Sequence, residues 1–198
     1  KHWCDILLDQ TFRRQQEDYS ELTPKGCEFL LGSQYALLRP EFFKWRVYSL
    51  ERRSKPEFKQ LLINMGGVDV DNVTESVLDK LKICNLPNDI KIIVVMGGSA
   101  PHLGVVKSKA NTLPYKVEVR VDVDNMAEIM ANSDIAIGAA GSTTWERCCL
   151  GLPTIQIVIA KNQIFSAKTL VQYNIVKLVE EVQEIPYLLE SSTEWMNK

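Results

Sequence analysis

A chain of 198 residues is long enough for one sizeable domain, or for one domain and part of another. Its 45% hydrophobic and 24% charged residues are ordinary for a globular core and its surface. A net charge of -2 offers no nucleic-acid-binding face, and the longest apolar stretches fall short of the roughly 20 residues that a bilayer span requires.

The sequence opens on Lys1 and enters a strand pattern, Cys4-Asp5-Ile6-Leu7-Leu8, almost at once. It therefore reads as a fragment whose earlier half is missing, and no signal peptide is visible. A polar stretch follows over residues 13–23, then an apolar run, Phe29-Leu30-Leu31. Residues 35–42, Tyr-Ala-Leu-Leu-Arg-Pro-Glu-Phe, hold Pro40, which biases Arg39 toward extended backbone. We read that segment as a bridge between two domains: residues 1–47 as the end of the first, and 48–198 as the second. The basic cluster Arg52-Arg53-Ser54-Lys55 is flanked by Glu51 and Glu57 and reads as a solvated linker.

From residue 58 onward strand and helix signals alternate. Short Ile/Val-rich runs at 58–64, 90–96, 116–121, 134–137, 154–159 and 175–179 have the character of strands buried on both faces of a parallel sheet. Helical patterns lie at 73–84, where Val73, Val77, Leu78 and Leu81 form one stripe, and at 125–132, 142–150 and 163–173. This alternation predicts an α/β fold: a doubly wound parallel sheet of Rossmann-like type. Right-handed crossovers then place every strand-to-helix loop on one sheet edge, where ligands bind.

The unusual loops all fall on that edge. Gly66-Gly67 precede Val68-Asp69 and fit either a backbone nest for an anion or a tight turn, with Asp69 or Asp71 capping the next helix. Gly97-Gly98 precede His102, which is placed to touch a phosphate or to act as a base, or to do neither. The run from Gly138 through Gly141-Ser142-Thr143-Thr144-Trp145-Glu146 has two readings. Thr143 and Glu146 match a capping box. Alternatively, Ser142 and Thr143 face a diphosphate while Glu146 accepts a ribose diol. Lys161-Asn162-Gln163 reads as a polar loop with Asn162 as a helix cap, or as a set of sugar contacts.

Glu128 and Arg147 read as solvated helix surface, and Cys148 and Cys149 as inward packing. Five cysteines, an odd number without metal-type spacing, fit reduced residues of a cytoplasmic protein. There is no G-x-G-x-x-G with an acidic ribose hook, no G-x-x-x-x-G-K-[ST] and no H-E-x-x-H. A nicotinamide-cofactor domain and a P-loop NTPase are both disfavoured, and no cofactor or metal is expected.

Cys4-Asp5-Ile6-Leu7-Leu8-Asp9-Gln10, residues 35–42, Met65-Gly66-Gly67-Val68-Asp69, the 138–153 run and Asn162-Gln163 together resemble one family. It is the UDP-sugar hydrolase of pseudaminic acid biosynthesis, in the glycosyltransferase-B fold group. The resemblance implies a C-terminal domain that holds UDP, facing an N-terminal domain across a cleft. Gly66, Gly67, Ser142 and Thr143 would lie near the diphosphate, Glu146 at the ribose, Met126 at the start of a helix near uracil, and Asn162 and Gln163 toward the sugar. The family's proposed histidine base, in an early Gly-rich loop, has no counterpart in this sequence. The resemblance therefore implies a chain that grips the UDP-sugar and does not cleave it alone. Its implied partner is the missing N-terminal domain.

Overall fold

The structure, a computed structural model, describes residues 1–196. Six strands form one fully parallel sheet: β3 (Gln60–Asn64), β4 (Lys91–Met96), β5 (Lys116–Val121), β6 (Ile135–Ala139), β7 (Thr154–Ile157) and β8 (Lys177–Val179). Their spatial order is β5-β4-β3-β6-β7-β8, the doubly wound order, which reverses direction between β3 and β6. The expected sheet forms, each strand within two residues of its predicted limits.

Side chains alternate across this sheet because successive residues of a strand point to opposite faces. On one face Leu61, Ile63, Val94, Ile137 and Ile155 pack with Val77, Leu78 and Leu81 of α2 (Val73–Leu81). The other face carries Leu62, Ile93 and Ala136. It is covered by α4 (Met126–Asn132) through Ile129 and Met130, and by Phe42 of α1 (Pro40–Arg52). The remaining helices are α3 (Leu103–Ala110), α5 (Thr143–Cys149), α6 (Ile164–Gln172), α7 (Ile185–Glu190) and α8 (Ser192–Trp195). Among the described residues no helix is long and apolar enough to cross a membrane.

The sequence reading of residues 35–57 needs two corrections. Arg39 is extended, as expected, with φ -64° and ψ 145°, but Pro40 opens a thirteen-residue helix behind it. Proline suits the first helical position, where its missing N–H is not needed. The 47/48 boundary consequently falls inside α1, which packs on α4 and α5. Nor is the basic cluster a solvated linker. Arg53 donates to the carbonyls of Met130 (3.0 Å), Ser133 (2.8 Å) and Leu150 (3.0 Å) at the ends of α4 and α5. A cation there meets the negative end of each helix dipole. Burial, with Arg52 beside it, brings the Arg53 pKa down to about 10. Arg52 pairs with Asp134, whose carboxylate also accepts the backbone N–H groups of Lys59 (2.8 Å) and Gln60 (2.7 Å) at the start of β3.

The first residues form a smaller parallel pair, β1 (Ile6–Asp9) and β2 (Glu28–Leu31). It docks on α6 through the segment after β1. Phe12 meets Tyr173 edge-on at 5.3 Å between centroids, Arg13 lies 5.1 Å over the same ring, and Arg14 lies 4.7 Å over Phe165.

Candidate functional site

The site follows from the sheet's switch point. Asn64 and Gly138 are register partners at the C-terminal ends of β3 and β6, so the loops beginning at Met65 and Ala140 leave the sheet side by side. The diverging crossovers of a doubly wound sheet open a crevice there.

The β3 loop is built for tight curvature. Gly66 has φ +90°, a left-handed conformation that other residues avoid, and a side chain at Gly67 would meet nothing within 4 Å. Gly67 therefore presents bare backbone to open space, although its carbonyl accepts the Gly97 N–H at 3.0 Å. A Cβ on Gly97 would stand 2.3 Å from that same carbonyl, so the second glycine pair serves loop-to-loop packing. Of the two proposed caps for α2, Asp69 fills the role: its carboxylate accepts the Val73 and Thr74 N–H groups, each at 2.9 Å. His102 Nε2 lies 3.0 Å from the Val70 carbonyl and ties the β4 loop to the β3 loop.

At α5 the capping-box reading fails. Ser142, not Thr143, precedes the first helical residue, and its hydroxyl makes no cap bond. The Thr143 hydroxyl instead accepts from Arg147 Nη1 at 3.0 Å. Glu146 lies 4.0 Å from Arg39 of the bridge, with 18% of its side chain exposed. Burial lifts its carboxyl above the usual glutamate range, against the opposing pull of Arg39 and Arg147.

Arg147 is the clearest misreading of the sequence. It is 1% exposed rather than solvated, and donates to Ala139 O (2.7 Å) and to the Thr143 and Thr144 hydroxyls. Burial brings its pKa down to about 10. Gly138 makes this possible, because a Cβ there would come within 2.5 Å of Arg147 Nη1. A glycine inside a strand marks such a close approach, and it was the available signal.

Ser142, Asn162 and Gln163 meet at one cleft of about 350 Å³. Its opposite wall is the turn after β1, with Asp9, Gln10 and Thr11, a contribution the sequence reading did not assign. Asn162 is exposed and stands in a short 3-10 turn over Lys161–Gln163, so it is not the helix cap expected; Gln163 holds the cap position of α6, and Ala160 that of the turn. Gln163 Oε1 accepts the Ile159 N–H at 3.0 Å and also borders a neighbouring recess of about 290 Å³, formed with Met65, Val68 and Asp69. Gly66 and Gly67 lie on the chain between those recess residues. Thr143 and Glu146 border neither space. The Met126 side chain is 7% exposed and packs in the core, so α4 presents only its first backbone turn. A larger cavity of about 650 Å³ lies between α5 and the approach to β8, lined by none of the predicted site residues.

Asp9 organises the β1 wall. Its carboxylate accepts the Thr11 N–H at 2.8 Å, Arg14 Nε at 3.0 Å and the Tyr19 hydroxyl. Burial alone would raise this carboxyl, but the hydrogen bonds from Thr11, Tyr19 and Arg14 outweigh it and hold the pKa below the usual range.

Residues 61–198 match the model of the glycosyltransferase family 28 C-terminal domain. Over 162 residues the chain is 30% identical to the UDP-2,4-diacetamido-2,4,6-trideoxy-beta-L-altropyranose hydrolase of Campylobacter jejuni, covering 82% of this chain and 55% of that protein. It is 35% identical over 136 residues to the UDP-N-acetylglucosamine--N-acetylmuramyl-(pentapeptide) pyrophosphoryl-undecaprenol N-acetylglucosamine transferase of Campylobacter fetus, covering 65% and 39%. MurG of Acinetobacter baumannii superposes with a TM-score of 0.63 at 18% identity, over 75% of this chain and 47% of that one. The chain spans about half or less of each of these proteins. It belongs to the glycosyltransferase family 28 C-terminal domain family.

Proposed function

From membership in that family, we propose that this chain is the UDP-gripping part of a sugar-nucleotide hydrolase, acting on a 2,4-diacetamido-2,4,6-trideoxyhexose attached to UDP. The observation that carries the reading is the pairing at the switch point: bare Gly66-Gly67 backbone on one side and the uncommitted Ser142 hydroxyl on the other. Both fit a diphosphate, whose oxygens accept from backbone N–H and hydroxyl donors. Glu146, with its charge costly to bury and no capping duty, fits a ribose diol that donates two hydrogen bonds. Asn162 and Gln163 extend the same line of groups toward the sugar.

In this reading water attacks the anomeric carbon and the bond to UDP breaks. Negative charge develops on the departing diphosphate, and donors fixed beside it before the reaction lower the barrier. No group in this chain is assigned as the base. We place it in an N-terminal domain outside this sequence, so residues 1–198 alone bind UDP without turnover.

The 35% identity to a transferase supports a second reading, in which the same grip on UDP serves transfer of the sugar to an acceptor. The full-length protein incubated with the UDP-linked diacetamido sugar and no acceptor separates them. Release of free sugar and UDP is the expected outcome. An intact sugar nucleotide that is consumed only when an acceptor is added would refute hydrolysis.

A further inference from the structure

The turn after β1 closes the cleft opposite Ser142 and Asn162, and its chemistry differs from that of the switch point. Among the described residues, the cleft is lined by no lysine, arginine or histidine. Its one charged group, Asp9, is already engaged by Thr11, Arg14 and Tyr19. What remains on the walls is neutral: hydroxyls, carboxamides and the apolar surfaces of Leu8 and Trp145. Such a lining suits a neutral ring with hydroxyl or acetamido substituents, which hydroxyls and carboxamides bond without a counter-charge.

Within that wall Gln10 is held in a defined orientation. Its Oε1 accepts the Leu37 N–H from the bridge at 3.1 Å. With the acceptor end committed, the NH2 end is the donor that this wall offers. The frame beneath it is rigid: Asp9 fixes the turn, and Arg14 stacks over Phe165 of α6, just past Asn162 and Gln163. One clamp thus sets the distance between the two walls.

We propose that Gln10 is a sugar-reading residue, donating through its NH2 to a carbonyl or hydroxyl oxygen of the sugar, with Asp9 as the positioning residue behind it. This rests on the UDP-sugar reading above and deepens it by assigning the wall that faces the sugar. The decisive variant is Gln10→Glu, which keeps an acceptor for the Leu37 N–H and removes the donor.

The test uses the full-length protein, UDP and the UDP-linked 2,4-diacetamido-2,4,6-trideoxyhexose. Kd for UDP is measured by calorimetry, and kcat/KM by UDP release from the sugar nucleotide. The expected result is unchanged UDP affinity and melting temperature, with kcat/KM lowered roughly tenfold or more, as for a lost hydrogen bond that leaves its partner unpaired. Gln10→Ala, which deletes both ends of the carboxamide, is expected to lower kcat/KM at least as far with UDP affinity kept. It provides the same readout if the glutamate variant does not fold. Unchanged kcat/KM in both variants overturns the assignment of Gln10 alone. Equal losses for UDP and the sugar nucleotide also overturn it, because the residue would then act on the fold. A wild-type protein that neither binds UDP nor releases it overturns the underlying reading, and the assignment with it.

Discussion

Glu146→Gln separates ligand binding from structure at the residue on which the two sequence readings of the 138–146 run diverged. In a capping box, the glutamate would bond the backbone of its own cap, and its loss would cost about 1 kcal/mol of stability. No such box forms, because Thr143 is already helical and its hydroxyl serves Arg147. The folded-state pKa of Glu146 is raised by burial. A carboxyl raised in this way favours folding at pH below its unfolded pKa, and loses that contribution as pH rises through the folded value. At neutral pH the ionised group therefore opposes folding slightly, and the uncharged glutamine is expected to leave the melting temperature unchanged or a little higher. Nucleotide affinity is expected to move the other way. Hydrogen bonds to a charged acceptor contribute about 1.5 to 3 kcal/mol, so Kd for UDP rises roughly 10- to 150-fold. The raised pKa also means that wild-type affinity begins to fall, on acidification, at a higher pH than an exposed glutamate would give, and the variant lacks that step. Calorimetric titrations across pH with a parallel thermal melt supply both readouts. Lowered stability with unchanged UDP affinity would refute the reasoning.

Two further substitutions probe the scaffold. Gly67→Val has open space for its side chain and is expected to fold normally, while losing UDP affinity at least tenfold because the side chain occupies the backbone approach to the diphosphate; undiminished binding by calorimetry would make the loop a turn and nothing more. Gly138→Ala drives a Cβ to 2.5 Å from Arg147 Nη1 and 3.1 Å from Asn64 O. Overpacking of this kind costs about 1 to 3 kcal/mol, so the melting temperature should fall by several degrees, and an unchanged melt would contradict the tight seat described for Arg147.

The sheet was legible because strands buried on both faces appear as unbroken Ile/Val runs, and turn residues close them. Ile90 to Met96 and Asp134 to Ile137 leave little room for another reading. α1 was not legible for a specific reason. The rule for residues preceding proline describes Arg39 correctly, yet it is silent on Pro40 itself, which is free to begin a helix. Arg53 and Arg147 were misread because charge argues for solvent unless buried carbonyls and hydroxyls await it, and those partners lie 77 to 97 residues away for Arg53. Arg147, by contrast, had a local clue in Gly138. The Asp9–Thr11 wall became visible only through the docking of β1 and β2 on α6, which depends on the Phe12, Arg13 and Arg14 contacts with Phe165 and Tyr173. No periodicity encodes that contact.

The central claim is that this chain grips UDP at the β3–β6 switch point, and titration of UDP into the protein, beside its Gly67→Val variant, tests it most directly. Saturable one-to-one binding by the wild type, lost in the variant while its melt is unchanged, is the predicted result. No heat of binding from the folded wild type, or equal binding by both proteins, would contradict it.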